Sequence, residues 1–291
     1  MPRIVSLLPS ATEIVCALGA GDDLVGISHE CDFPPAIRDR PVLTRSRIDS
    51  AASSRAIDTA VCAVITGALS IYEVDADRLS RLAPDLIVTQ DLCEVCAVSL
   101  DDVRAAVARL AHRDDIQIVC LRAAALGAAD RGRAVRAELE RRIADIARRA
   151  GPAAARPRVV SIEWIDPVML GGTWMPELIA LAGGQPVGAT AGAAAPTIRP
   201  AELAELAPDV VMVKPCGFTL PRALEERAVI ERCVLAPCAG RARVYVTDGN
   251  AYFNRPGPRL VESLEILAAC VHPDRFADFQ RSHAAAITRL A

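Results

Sequence analysis

The chain has 291 residues, 52% of them hydrophobic and 24% charged, with a net charge of −3 and a pI near 5.9. That length holds two domains or one large one, and that charge balance leaves no basic footprint for nucleic acid. No stretch reaches the roughly 18 consecutive apolar residues of a membrane-spanning helix.

Met1-Pro2-Arg3 leads directly into Ile4-Val5-Ser6-Leu7-Leu8. There is no charged and then apolar leader with a small-residue cleavage site, and no lipobox-like Cys, so a cytoplasmic location is expected. Ten cysteines in such a chain read as reduced thiols, ligands or small buried residues, not as a disulfide framework. Ile4 to Leu8 is the first strand, apolar throughout as a parallel sheet requires. A helix from Ile14 to Leu18 follows and stops at Gly19. Ser10 and Glu13 have the spacing of a capping box. Ser10 also lies where a strand ends and a helix begins, the place where open α/β folds hold ligands.

Leu24 to Ser28 reads as a second strand ending in His29-Glu30-Cys31-Asp32. In an extended chain alternate side chains share a side, so His29 can point with Cys31, or Glu30 with Asp32. A helix over Ser53–Thr66, an edge piece at Ile71-Tyr72 and a helix over Ala76–Leu82 capped at Val74-Asp75 come next. Asp85 to Thr89 is a strong strand, followed by Gln90-Asp91-Leu92-Cys93-Glu94-Val95-Cys96, a helix to about Leu110 and a strand over Ile116–Leu121.

Ala129 to Ala150 predicts one long helix. Val135, Leu139, Ile143 and Ile146 fall on one face of a 3.6-residue period, and Glu138/Arg142 and Arg136/Glu140 can pair across four residues. Gly151-Pro152 stops it. At 1.5 Å per residue it spans about 30 Å, far enough to join two lobes. The flanking halves echo each other at unequal offsets. Arg3-Ile4-Val5-Ser6 returns as Arg158-Val159-Val160-Ser161, and Leu82-Ala83-Pro84-Asp85-Leu86-Ile87-Val88 returns as Leu206-Ala207-Pro208-Asp209-Val210-Val211-Met212.

The second half predicts a strand from Arg158, a helix over Met175–Leu181 and a loop from Gly188 to Ala195. It continues with a helix over Glu202–Leu206 and strands over Val210–Lys214 and Arg243–Thr247. Helices over Leu260–Ala269 and from about Arg275 to Leu290 close the chain. The fold class expected is α/β: two Rossmann-like lobes with mostly parallel sheets, residues 1–125 and 153–291, joined by a single long backbone helix within 126–152.

Cys93-x-x-Cys96 between a strand and a helix is the sharpest local feature, because a helix N-terminus favours thiolates. It suits a thiol oxidoreductase, a metal site or two small buried residues at a turn. If the strands are parallel, Cys31, Cys93, Cys96 and Cys216 all lie at carboxyl ends, where soft thiolates suit zinc, iron or another soft metal. Without a second CxxC or a His-x3-His, a structural zinc site is not indicated. Aromatic residues are only 3% of the chain, yet Tyr72, Trp164, Trp174, Phe218, Tyr252 and Phe253 all fall in turns beside strands or helices. They suit a planar ligand or simple packing. Arg255, beside Pro256-Gly257-Pro258, could pair with an anionic group. No nucleophile elbow, P-loop or GxGxxG is present.

The segments RIVSLLPSATEIVCALGAGDDLVGISHECDFP, IYEVDADRLSRLAPDLIVTQDLCEVCAVS and DGNAYFNRPGPRLVESLEILA resemble the vitamin-B12 and iron-siderophore substrate-binding proteins of ABC importers, nearest the branch named cobalamin-binding proteins. The likeness covers nearly the whole chain, and SLLPSATEIVCALG is its most specific part. It implies two α/β lobes on one backbone helix, a ligand in the cleft between them, little hinge motion and no catalysis. Carried over by position, the ligand-binding residues would be Pro9, Ser10, Tyr72, Gln90, Trp164, Trp174, Phe218, Phe253 and Arg255. The implied ligand is cobalamin or a related corrinoid, the implied partner an ABC permease, and the protein a monomer that is not membrane-embedded. Two departures stand out: the missing export signal, and cysteines that a B12 carrier does not need. They leave a cysteine-ligated metal, haem, a siderophore and the thiol oxidoreductase as alternatives.

Overall fold

The computed structural model describes residues 2–66, 71–89, 103–104, 107, 117–120, 127–151, 156–238 and 240–291. They group into two compact units, 1–52 with 56–138, and 53–55 with 139–291.

In the N-terminal unit the elements run β1 (Ile4–Ser6), α1 (Pro9–Ala17), β2 (Leu24–Ile27), β3 (Thr44–Ser46), α2 (Ser54–Thr66), β4 (Tyr72–Val74), α3 (Ala76–Leu82), β5 (Leu86–Thr89) and β6 (Gln117–Cys120). Four of the strands form a sheet in the order β2-β1-β5-β6, parallel at every pairing. The antiparallel pair β3-β4 stands apart from it. Side chains leave the parallel strands alternately. Ile4, Leu86 and Val88 pack with Leu8, Ala11, Val15 and Leu24 on one side. Val5 and Ile87 pack with Leu7, Leu43 and Leu79 on the other. A sheet covered on both faces is why these strands are unbroken apolar runs.

The C-terminal unit takes up most of the long helix α4 (Ala129–Ala150). It continues through β7 (Arg158–Trp164), β8 (Val168–Leu170), α5 (Met175–Leu181), β9 (Gln185–Pro186), β10 (Thr197–Ile198), α6 (Pro200–Glu205), β11 (Val210–Val213) and α7 (Leu220–Glu225). A helical run over 227–238, β12 (Arg243–Thr247), α8 (Leu260–Val271), α9 (Ala277–Ser282) and β13 (Ile287–Arg289) complete it. The sheet order is β10-β8-β7-β11-β12-β13, with β9 added beside β7. The central three strands are parallel. β8, β10 and β13 pair antiparallel.

The apolar face of α4 is the expected one. Ile146 is fully buried, and Leu139 and Ile143 pack against the same core as Val159, Met175, Val210 and most of α8. Arg142 does not use its charge along the helix. Its Nη2 lies 2.6 Å from Glu265 of α8, and His283 Nε2 lies 2.9 Å from the other oxygen of that carboxylate. Burial pulls the Glu265 carboxyl up, and the hydrogen bonds from His283 and Arg142 more than offset it, holding it below its ordinary value. Gly151, in the left-handed region at φ 73°, ends the helix, and Arg275 donates to the terminal Ala150 carbonyl.

The two halves repeat one device. In the first, the Arg3 guanidinium donates to the Leu82 carbonyl at the end of α3 (3.0 and 2.9 Å), and Asp85 accepts from the Arg3 backbone N–H at 2.9 Å. In the second, Arg158 donates to the Leu206 and Ala207 carbonyls, and Asp209 accepts from the Arg158 N–H at 2.7 Å. Ala83 and Ala207 turn the chain with φ of 39° and 43°. Strand pairing then starts identically, Ile4 with Leu86 and Val159 with Val210.

Two expectations need correction. The last helix does not run to Leu290. It stops at Ser282, and Ile287–Arg289, rich in β-branched residues, closes the sheet edge against Tyr245–Thr247. Nor do Ser10 and Glu13 cap α1. The helix begins at Pro9, its N-cap position is Leu8 with no side-chain cap, and Ser10 lies buried inside the first turn, two residues past that position. Proline suits the first helical position because its missing N–H is one that the helix leaves unpaired anyway.

Asp85→Ala and Asp209→Ala should each cost about 0.5–1.5 kcal/mol, the worth of an exposed hydrogen bond to a strand's first N–H. Urea denaturation followed by circular dichroism checks this, and no shift in either variant would remove the clasp from the account.

Candidate functional site

Parallel strands gather chemistry at their carboxyl ends, where loops diverge and helices begin. In the N-terminal unit that edge carries Ser6, the turn after it, and 28–31. Thr12 Oγ1 donates to Ser6 at 2.9 Å and lies 3.0 Å from Cys31 Sγ. Cys31 is only 6% exposed and packs with Ile27, Ile37 and Leu8, so it is core rather than a solvent-facing ligand. Pro9 and Ser10 are buried too. Tyr72 is half-buried. Its hydroxyl donates to Glu30 at 3.0 Å, and its ring lies 5.4 Å from that of His29. The His29 ring in turn contacts Thr44 (Nδ1 to Oγ1, 2.7 Å). Gln90, Cys93 and Cys96, with the CxxC they frame, lie outside the described residues.

In the C-terminal unit the corresponding edge is built by the ends of β7, β11 and β12. Trp164 and Trp174 are half-buried. Trp164 Nε1 donates to the Ser54 carbonyl (3.2 Å), and its ring meets Phe218 edge-on at 5.3 Å. Trp174 Nε1 donates to the Phe253 carbonyl (3.0 Å). Phe218 is buried beneath the Arg222 guanidinium, 4.3 Å from its ring centre. Phe253 is 1% exposed and belongs to the core, with a positive φ of 65° stabilised by its N–H on Ser263 Oγ. Arg255 is buried and donates to Asn250 (3.1 Å). Cys216 is exposed. Among the described residues no group of three or more His, Cys, Asp and Glu side chains could hold a metal ion.

The structure adds a cluster that motif reading passes over. Lys214, the sole lysine of the chain, follows the last residue of β11 and is fully buried. Its Nζ lies 3.4 Å from Glu163 Oε2 and 3.1 Å from Asn254 Oδ1. Asn254 turns its amide onto the Lys214 and Gly249 carbonyls. The Glu163 side chain is 26% exposed, and its Oε2 also accepts from Gly172 N–H. Any Cβ at position 249 would fall 2.1 Å from the Pro215 carbonyl oxygen, so only glycine lets the β12 loop close over the lysine. Burial pulls the Lys214 pKa down and Glu163 pulls it back up in part. The signal in the sequence was a lone lysine in an arginine-rich chain, placed directly after four apolar strand residues.

A family model for periplasmic binding proteins matches residues 4–232. Among solved structures, a periplasmic heme-binding protein from Pseudomonas aeruginosa is similar over 94% of each chain at 19% identity, with a TM-score of 0.68. The periplasmic heme-binding protein RhuT from Roseiflexus sp. RS-1 is similar over 96% of this chain and 99% of its own at 22% identity, with a TM-score of 0.66. The periplasmic vitamin B12 binding protein BtuF of Vibrio cholerae is similar over 96% and 98% at 18% identity, with a TM-score of 0.64. A search of curated proteins returns no match. The cytoplasmic expectation draws no support from these likenesses, since the proteins named are periplasmic. No helix among the described residues is long and apolar enough to cross a membrane.

Burial of Lys214 has a signed consequence. With its folded pKa lowered, the unfolded chain holds one more proton between that pKa and the ordinary lysine value, so stability rises with pH across that window. One proton corresponds to a slope of up to about 1.4 kcal/mol per pH unit. Denaturation of the wild type minus that of Lys214→Met should show this rise as pH approaches the lysine range. A flat difference would mean that burial does not lower the pKa of this amine.

Proposed function

Because the chain belongs to the periplasmic binding protein family, we propose that it is a non-catalytic substrate-binding protein whose ligand is a metal-centred tetrapyrrole, a corrinoid by preference. The observation that carries the reading is the pair of half-buried indoles, Trp164 and Trp174, each locked by its N–H at the carboxyl edge of the second sheet. Such rings offer a large apolar face at little cost in lost side-chain freedom, which suits a broad, flat ligand. Proteins of the same fold that bind heme and vitamin B12 support the ligand class.

Charge favours the corrinoid over haem. Haem brings two carboxylates that need cations. At this edge Lys214 is committed to Glu163 and Asn254, Arg255 to Asn250, and Arg222 to Glu226 at 3.0 Å. The partly exposed Glu163 would repel a propionate and could accept from the amide N–H groups that fringe a corrin ring. The proposed contacts are Trp164, Trp174 and Glu163 of the C-terminal unit, with the buried rings of Phe218 and Phe253 shaping the turns of the same unit. Delivery to an ABC permease follows from the family's mode of action.

Absorbance titration with hydroxocobalamin, cobinamide and haemin tests this. Saturable one-to-one binding of a corrinoid at micromolar affinity, about −8 kcal/mol, is expected. Trp164→Ala should weaken it by about tenfold or more, the usual loss for a buried aromatic anchor. Saturable haemin binding alone would replace the corrinoid with haem. No saturable binding of any of the three would overturn the reading.

A further inference from the structure

Glu163 precedes Trp164 in β7, and its contacts within the C-terminal unit fix it while leaving one oxygen outward. The Cys216 N–H donates to its backbone carbonyl at 3.0 Å. Its Oε2 is held from the inner side by two donors, the Gly172 N–H and Lys214 Nζ, each at 3.4 Å. Gly172 in turn lies two residues before Trp174. Among the described residues Oε1 accepts no hydrogen bond, and it is not one of the buried unpartnered atoms, so it reaches the surface of a side chain that is 26% exposed.

The holding group is itself held. Lys214 is fully buried, and its Nζ also donates to Asn254 Oδ1 at 3.1 Å. Asn254 Nδ2 faces two acceptors, the Lys214 and Gly249 carbonyls (3.3 and 2.8 Å), so Oδ1 is the atom turned to the amine. A neutral amine carries two hydrogens and an ammonium three, so Nζ serves both acceptors in either state. A glutamate free to turn loses rotamer freedom when a ligand fixes it, whereas this one has already lost it on folding. We propose that Lys214 and Asn254 are positioning residues that hold Glu163 Oε1 as a preformed acceptor, and that the site thereby selects a tetrapyrrole fringed by primary amides over one that offers no donor. Glu163 touches the ligand, and Lys214 acts only through it. This deepens the tetrapyrrole reading above and rests on it. An amide N–H completes the carboxylate oxygen, while an ester leaves it stripped of water and unpaired. In Glu163→Gln the two inner donors select the amide oxygen, which turns the NH2 outward and replaces the acceptor by a donor.

The test compares dicyanocobinamide, which carries side-chain amides, with the dicyano form of cobyrinic acid heptamethyl ester. The two share ring and metal, but the ester has no amide N–H. Binding is followed by quenching of the two tryptophans. Wild type should prefer the amide by about 10–100-fold, the worth of one hydrogen bond to a charged group. Glu163→Gln and Lys214→Met should each lose most of that preference. Lys214→Gln, which keeps a donor near the same place, should retain part of it. Glu163→Gln with Lys214→Met should fall no further than Glu163→Gln alone, because the lysine acts through the carboxylate. A merely structural lysine would weaken both ligands alike, so the wild-type ratio retained in Lys214→Met would overturn the positioning role. Equal affinity of wild type for amide and ester would overturn the selection while leaving the tetrapyrrole reading intact. Failure of both compounds to bind wild type would overturn both.

Discussion

Each sheet begins from the same constraint, an arginine and an aspartate that clasp the amino ends of two neighbouring strands. Arg3 closes the end of α3 through the Leu82 carbonyl while Asp85 accepts from its N–H. Arg158 and Asp209 do the same beside α6. Individually these bonds are worth about 1 kcal/mol. Their importance is geometric. They start both strand pairs in the same register, and in strands buried on both faces a slip of one residue would exchange the two cores. With the amino ends pinned, the carboxyl ends are free to diverge into 28–31, 163–174, 214–218 and 248–255, which hold the clustered aromatic and polar side chains.

Much of this was readable beforehand for a physical reason. The clasp shows in the sequence as the repeated strings around Arg3/Arg158 and Leu-Ala-Pro-Asp, and buried parallel strands announce themselves as apolar runs. The α4 helix was legible because its stripe of Val135, Leu139, Ile143 and Ile146 has a period that nothing contradicts. What escaped was decided by tertiary partners. Arg142 had an equally spaced glutamate on its own helix but found Glu265 on α8. Ile287–Arg289 looked like the tail of a helix until the open edge of β12 captured it. Ser10 and Glu13 matched a cap, but the helix starts ahead of them at Pro9 and takes both into its first turns.

The site was less legible than the fold. Position at a strand end identified Tyr72, Trp164 and Trp174 as ring faces near the edge, but the same rule also selected Phe218 and Phe253, which the structure buries. Loop location does not say which way a ring turns. Cys31 matched a ligand pattern and proved to be a core thiol against Thr12. The groups that give the edge its chemistry are joined across distant segments: Lys214 with Glu163 and Asn254, and His29 with Thr44 and Tyr72. No spacing rule connects residues 163, 214 and 254. Only the parallel order of β7, β11 and β12 does.

The central claim is that ligand chemistry sits at the carboxyl ends of the strands of the second sheet. Hydrogen–deuterium exchange with and without saturating hydroxocobalamin tests it most directly. Within the C-terminal unit slowed exchange should be confined to 163–174, 214–218 and 248–255, while the amino-end turns at 83–85 and 207–209 exchange as before. Protection centred on those amino-end turns, with the carboxyl-end segments unchanged, would contradict the account.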